Sequence, residues 1–78
     1  MVELKKVLTD IAKAIVDEPE GVEVSETVDG NDVLVVLHVS EDDMGKVIGR
    51  HGKIAKSIRL VMKAAANTIG KRVTVEIK

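Results

Sequence analysis

The chain has 78 residues, no cysteine and no aromatic side chain, with 45% apolar and 32% charged residues and a formal net charge of −1. That length predicts one domain around a small core, and without cysteine no disulfide or thiolate-held metal can staple it. So high an apolar fraction excludes a disordered chain, and no apolar run approaches the ~20 residues of a membrane span.

The first segment, Glu3 to Val16, spaces Leu4, Val7, Leu8, Ile11 and Ile15 as the apolar stripe of an amphipathic helix. Asp17-Glu18-Pro19-Glu20-Gly21 ends it, because the residue before proline avoids the helical region. Val22 to Val28 alternates imperfectly, with Glu26 breaking the pattern, and Asp29-Gly30-Asn31-Asp32 is a hairpin signal. Val33 to Val39 is nearly continuously apolar, which predicts a central strand buried on both faces, with His38 at its end.

Ser40 is placed to cap a short helix over Glu41 to about Ile48, with Glu41, Asp42 and Asp43 on the positive end of its dipole. Gly49 stops that helix. After Arg50-His51-Gly52 a longer one runs from Lys53 to about Ile69 and ends at Gly70. On this longer helix Ile54, Ile58, Val61, Met62, Ala65 and Ile69 share one arc, the expected core face, opposite Lys53, Lys56, Arg59 and Lys63. Lys71 to Lys78 alternates Val73, Val75 and Ile77 with polar residues, a half-buried strand. The predicted order is α-β-β-α-α-β, an α+β fold.

The net charge conceals a division. Residues 1–43 carry three basic and twelve acidic residues, a balance of −9; residues 44–78 carry nine basic residues and one acid, a balance of +8. Such asymmetry points to a polyanion or an acidic partner, although a charge run by itself is more often a solvated face.

The informative stretch is Val47-Ile48-Gly49-Arg50-His51-Gly52-Lys53-Ile54. Two glycines three apart join two helices, and the N-terminus of the second offers unpaired N–H groups and partial positive charge that attract phosphate. Arg50, His51 and Lys53 add charge there. His51 reads either as a partly protonated phosphate contact or as an exposed spacer. Spacing dismisses two other phosphate motifs. A Walker A loop ending at Gly52-Lys53 needs Ser or Thr where Ile54 stands and Gly where Val47 stands, and a Rossmann fingerprint follows a strand rather than a helix. Two histidines without cysteine make no zinc ligand set, and no nucleophile–base pair is visible, so neither a cofactor, a metal site nor catalysis is expected.

This loop, set between helices after a hairpin, resembles the KH domain in its type II order. The resemblance covers the chain from about Val2 to Lys78 as a single domain. Through Val16-Asp17-Glu18-Pro19, Gly45-Lys46-Val47-Ile48-Gly49 and Lys53-Ile54-Ala55-Lys56-Ser57-Ile58-Arg59 it is similar to the small stand-alone bacterial KH proteins of the KhpA family. It implies a three-stranded sheet covered by three helices and single-stranded RNA held by the loop Gly49, Arg50, His51 and Gly52, helped by Lys46, Lys53 and Lys56. It implies an aliphatic groove for bases drawn from Val47, Ile48, Ile54 and Ile58, with the strand around Leu37 to Val39 as its other wall. Many KH domains carry Ile where this chain has Ala55.

The resemblance also implies a cytoplasmic RNA chaperone or regulator linked to cell elongation and cell-wall synthesis. Charges at Glu3, Lys5 and Lys6, where a signal peptide needs apolar residues, agree with that location. Self-association and pairing with a larger KH-containing protein, KhpB-like, are implied too, and Ser57, Leu60, Ala64 and Asn67 offer a helix face for it. The alternative is a protein-interaction KH module with little RNA binding of its own.

Overall fold

The computed structural model describes residues 2–78. Helix α1 spans Leu4–Ile15, strand β1 Glu23–Asp29, strand β2 Asp32–His38, helix α2 Met44–Ile48, helix α3 Lys53–Thr68 and strand β3 Arg72–Ile77. Short 3₁₀ turns at Pro19–Gly21, Glu41–Asp43 and Arg50–Gly52 join them. The α-β-β-α-α-β order and the α+β class are as the sequence predicts. No helix among the described residues is long and apolar enough to cross a membrane.

The sheet runs β1-β2-β3. β1 and β2 are antiparallel across a two-residue turn, with Asp29 opposite Asp32, Val24 opposite Leu37 and Val28 opposite Val33. β2 and β3 are parallel, pairing Val33 with Val73, Val35 with Val75 and Leu37 with Ile77. A parallel pair needs a long crossover, and α2 and α3 supply it. Leu4, Leu8 and Ala12 of α1 and Ile58, Met62 and Ala66 of α3 pack with Val33, Val35, Leu37 and Val75 in a single core.

β2 is central, but it is buried on one face only. Val33, Val35 and Leu37 are buried under the helices while Leu34 and Val36 are half-buried. Their neighbours on the open face are Thr27 and Thr74 beside Leu34, and Ser25 and Glu76 beside Val36. Flanking residues of that kind leave no layer for a second set of helices, so an apolar run that suited two-sided burial belongs to a one-sided sheet.

The region after β2 also departs from expectation. Glu41–Asp43 forms a 3₁₀ turn and only Met44–Ile48 is α-helical, with no side-chain cap from Ser40. The Ser40 hydroxyl instead donates to Glu18 Oε2 at 2.8 Å. Asp43 is buried rather than displayed to the helix dipole, and its carboxylate accepts the backbone N–H of Asp17 (3.2 Å) and of Glu18 (3.0 Å). The tight turn is what swings Asp43 inward to join the end of α1 to α2.

On α3 the core face lies further round than its isoleucines suggest. Ala55, Ile58, Met62 and Ala66 are buried, whereas Ile54 and Val61 are 39% and 49% exposed. Small Ala55 lets α3 approach its neighbours closely and so turns Ile54 outward. Leu8, wholly buried, is a sharp test of the core: Leu8→Ala should cost about 3 kcal/mol, seen in denaturant or thermal melts.

Candidate nucleic-acid interface

The loop between α2 and α3 is built by three residues with positive φ. Gly49 (φ 75, ψ 173) closes α2, its N–H donating to Gly45 O at 2.8 Å. His51 (φ 55, ψ 24) and Gly52 (φ 73, ψ 14) follow in the left-handed region, and the Gly52 N–H donates to Gly49 O at 3.1 Å. His51 is the one non-glycine residue with positive φ among the described residues. A Cβ on Gly49 would overlap Ile54 Cγ1 and stand 2.8 Å from Ile54 Cβ, so the loop packs flat against the first turn of α3.

No side chain caps α3. The Lys53 N–H is taken by Arg50 O, so the N–H groups of Ile54 and Ala55 are the ones the helix leaves unpaired, next to the loop at the positive end of a 16-residue helix. Arg50, His51, Lys53 and Lys56 are exposed around it. A helix N-terminus flanked by these cations suits a phosphodiester.

The expected residues do not all arrive there. Val47 is wholly buried and Ile58 is 3% exposed, so both support the site from beneath and neither lines it. Ile48 and Ile54 are accessible, but Ile54 lines a groove of 310 Å³ with Ile11 and Ile15 of α1 and Val61 of α3. Ala55, not Ile54, takes the inward position. Leu37 is wholly buried and cannot form a wall for bases. The strand that reaches the basic flank of α3 is β3, where Arg59 Nε donates to Val75 O at 3.4 Å.

Lys46 is not a free cation. Its Nζ lies 2.7 Å from Asp17 Oδ2 and 3.6 Å from Asp43 Oδ1. Of the other basic residues after Met44, Arg72 pairs with Asp32 and Lys78 with Glu76. Arg50, Lys53, Lys56, Arg59 and Lys63 enter no ion pair among the described residues. The positive surface thus begins at the loop and continues along α3. The Asp17–Asp43–Lys46 joint borders it on the α2 side.

Burial pushes the Asp43 carboxyl up, but the N–H groups of Glu18 and Asp17 and the Lys46 ammonium outweigh it and hold Asp43 below the ordinary carboxylate range. Lys46 is raised, chiefly by its hydrogen bond to Asp17. A lowered carboxyl stabilises the fold above its unfolded pKa of about 3.9 and loses that effect as pH falls through the folded value. A raised lysine stabilises below about 10.4 and loses its effect above the folded value. The joint is therefore intact from about pH 5 to 9. Asp43→Asn should lower the Tm near neutrality and flatten the fall in Tm below about pH 4, as followed by circular dichroism. A variant whose acid limb matches the parent would deny Asp43 this role.

The sequence sets Asp43 among the dipole acids and gives no sign of its buried joint, since nothing distinguishes it from Glu41 and Asp42 except Lys46 three residues on. The strand over Lys71 to Lys78 is predicted, but its place beside the basic flank of α3 is not, because strand order is invisible in a linear pattern.

A family model described as the KH domain of KhpA/KhpB matches residues 5–77. The chain belongs to the KhpA/KhpB KH-domain family. It is 50% identical over 74 residues to the "RNA-binding protein KhpA" of Clostridium perfringens, covering 95% of this chain and 99% of that one. It is 51% identical to the protein of the same name from Clostridium acetobutylicum, with the same coverage, and 39% identical to that of Aquifex aeolicus, covering 95% and 94%. No solved structure matches at a significant level. In this KhpA/KhpB KH domain the two-glycine loop and the basic start of α3 fall well inside the matched span.

Proposed function

We propose that this KH domain is a non-catalytic module that binds single-stranded RNA, with the phosphate backbone seated on the Gly49–Gly52 loop. The observation that carries this reading is the loop itself: flat against Ile54, at the N-terminus of α3 that no side chain caps, and continuous with five cations that enter no ion pair among the described residues. KH domains use such a loop to clamp about four nucleotides. Relatives that match nearly the whole chain bear the name RNA-binding protein, which supports the same assignment.

The chain has no Phe, Tyr or Trp, so bases gain none of the ~1–3 kcal/mol that stacking supplies elsewhere. Affinity then rests on phosphate contacts and on apolar contact with side chains such as Ile48. Titration of an unstructured oligonucleotide should give log K falling with log salt at a slope of about −2 to −3, as three or four neutralised phosphates require. A flat salt dependence would contradict phosphate recognition.

The resemblance extends the proposal to a cytoplasmic RNA chaperone or post-transcriptional regulator connected with cell elongation and cell-wall synthesis. It also extends it to self-association and pairing with a larger, KhpB-like protein. Ser57, Leu60, Ala64 and Asn67 are all exposed on the outer ridge of α3, with Leu60 69% exposed beside Val61. That surface favours a protein contact and gives the second reading, an interaction module, its footing. Leu60→Glu or Ala64→Glu should convert a dimer to monomer in sedimentation, and an unchanged mass would assign the contact elsewhere.

A further inference from the structure

β3 is an edge strand with one side open. The Arg72 N–H donates to Asn31 O and the Lys78 N–H to Leu37 O, so the even-numbered residues of β3 turn their main-chain groups toward β2. Val73, Val75 and Ile77 therefore turn theirs to the open edge. Arg59 reaches across from α3 to this edge, its Nε on Val75 O. Lys56 and Lys63, one turn before and after, flank it as simple charges. Those lysines suffice for phosphates. A guanidinium whose Nε is already held keeps only its Nη1/Nη2 end free, with a fixed plane and donors side by side.

We propose that Arg59 is a base-reading residue, recognising a nucleobase that presents two adjacent acceptors: guanine on its O6/N7 edge or cytosine on its O2/N3 edge. Adenine and uracil place a donor or a carbon beside each acceptor on the corresponding edges and leave one Nη unpaired. In a protein without aromatic side chains, hydrogen bonding of this kind is the available source of base selectivity. The inference rests on the RNA-binding reading and adds a base preference to it.

The test uses fluorescein-labelled octamers of uridine, unsubstituted or with a single central guanine, cytosine or adenine, in anisotropy titrations at low salt. The full chain should bind the guanine or the cytosine octamer about tenfold more tightly than oligouridine, with no gain from adenine. Arg59→Gln should abolish that gain. Arg59→Lys, which keeps the charge and loses the fork, should abolish it too while retaining most of the affinity for oligouridine. Melts of both variants show whether the Val75 contact also serves the fold, and either variant that folds suffices. Retention of the gain in a folded variant, a gain with adenine, or equal binding of all four octamers would overturn the proposal. If the parent binds the octamers and Arg50→Asp/His51→Asp abolishes that binding, such a result removes Arg59 alone. If the parent binds none, the RNA-binding reading falls with it.

Discussion

Replacing Gly49 with alanine should lower the Tm by roughly 15 °C, against roughly 5 °C for the same change at Gly52. The two glycines bracket one loop and both have positive φ, yet they stand in different surroundings. At Gly52 (φ 73, ψ 14) a Cβ meets nothing within 4 Å, and the cost is the left-handed conformation alone, about 1 kcal/mol. At Gly49 (φ 75, ψ 173) the backbone occupies a region nearly closed to other residues, about 2 kcal/mol or more, and the new methyl overlaps Ile54. Relief requires α3 to retreat from the loop or Ile54 to leave its place. A domain of this size has ~4–12 kcal/mol of stability, so the loss is a large share of it. Scanning calorimetry of the two variants decides the matter. A Gly49 shift only about twice that at Gly52 would mean that conformation, not the contact with Ile54, makes Gly49 necessary.

Much of this fold is legible in the residues because the signals are local. Glycine and asparagine between two apolar runs place the β1–β2 turn. Helical spacing marks α1 and α3, and Gly70 ends α3 by taking the left-handed conformation its neighbours avoid. The loop between α2 and α3 is legible for the same reason: two glycines and three basic residues have few other uses at a helix junction.

What the residues conceal depends on partners distant in the chain. An apolar run in β2 is compatible with burial on both faces. The open face is decided by Ser25, Thr27, Thr74 and Glu76, which only the register brings beside it. The phase of α3 is ambiguous because isoleucine outranks alanine in any hydropathy pattern, whereas close packing selects Ala55 for the inward position. Lys46 reads as one more phosphate-seeking cation until Asp17, twenty-nine residues earlier, is found beside it. The consequence for function is a narrower site than expected. It begins after the Lys46 joint, leaves Val47 and Ile58 beneath it, and runs along α3 toward β3.

That site makes Arg50→Asp/His51→Asp the substitution with the largest expected effect on RNA binding. Two anions would replace Arg50 and His51 where a phosphate must sit, and this change of charge should weaken binding by about 100-fold, some 2.7 kcal/mol. The fold should tolerate it. Position 51 is left-handed, a conformation aspartate accepts better than most residues, and acids before α3 suit its dipole. Leu60 and its ridge lie outside the loop, so sedimentation of the variant should match that of the parent. The measurement is anisotropy titration of a single-stranded octamer against parent and double variant at one low salt concentration, with circular dichroism and sedimentation on the same samples. A folded variant that sediments as the parent does, with binding reduced about 100-fold, is the expected result. A folded variant that binds the octamer as the parent does would contradict the loop as the seat of the phosphate backbone.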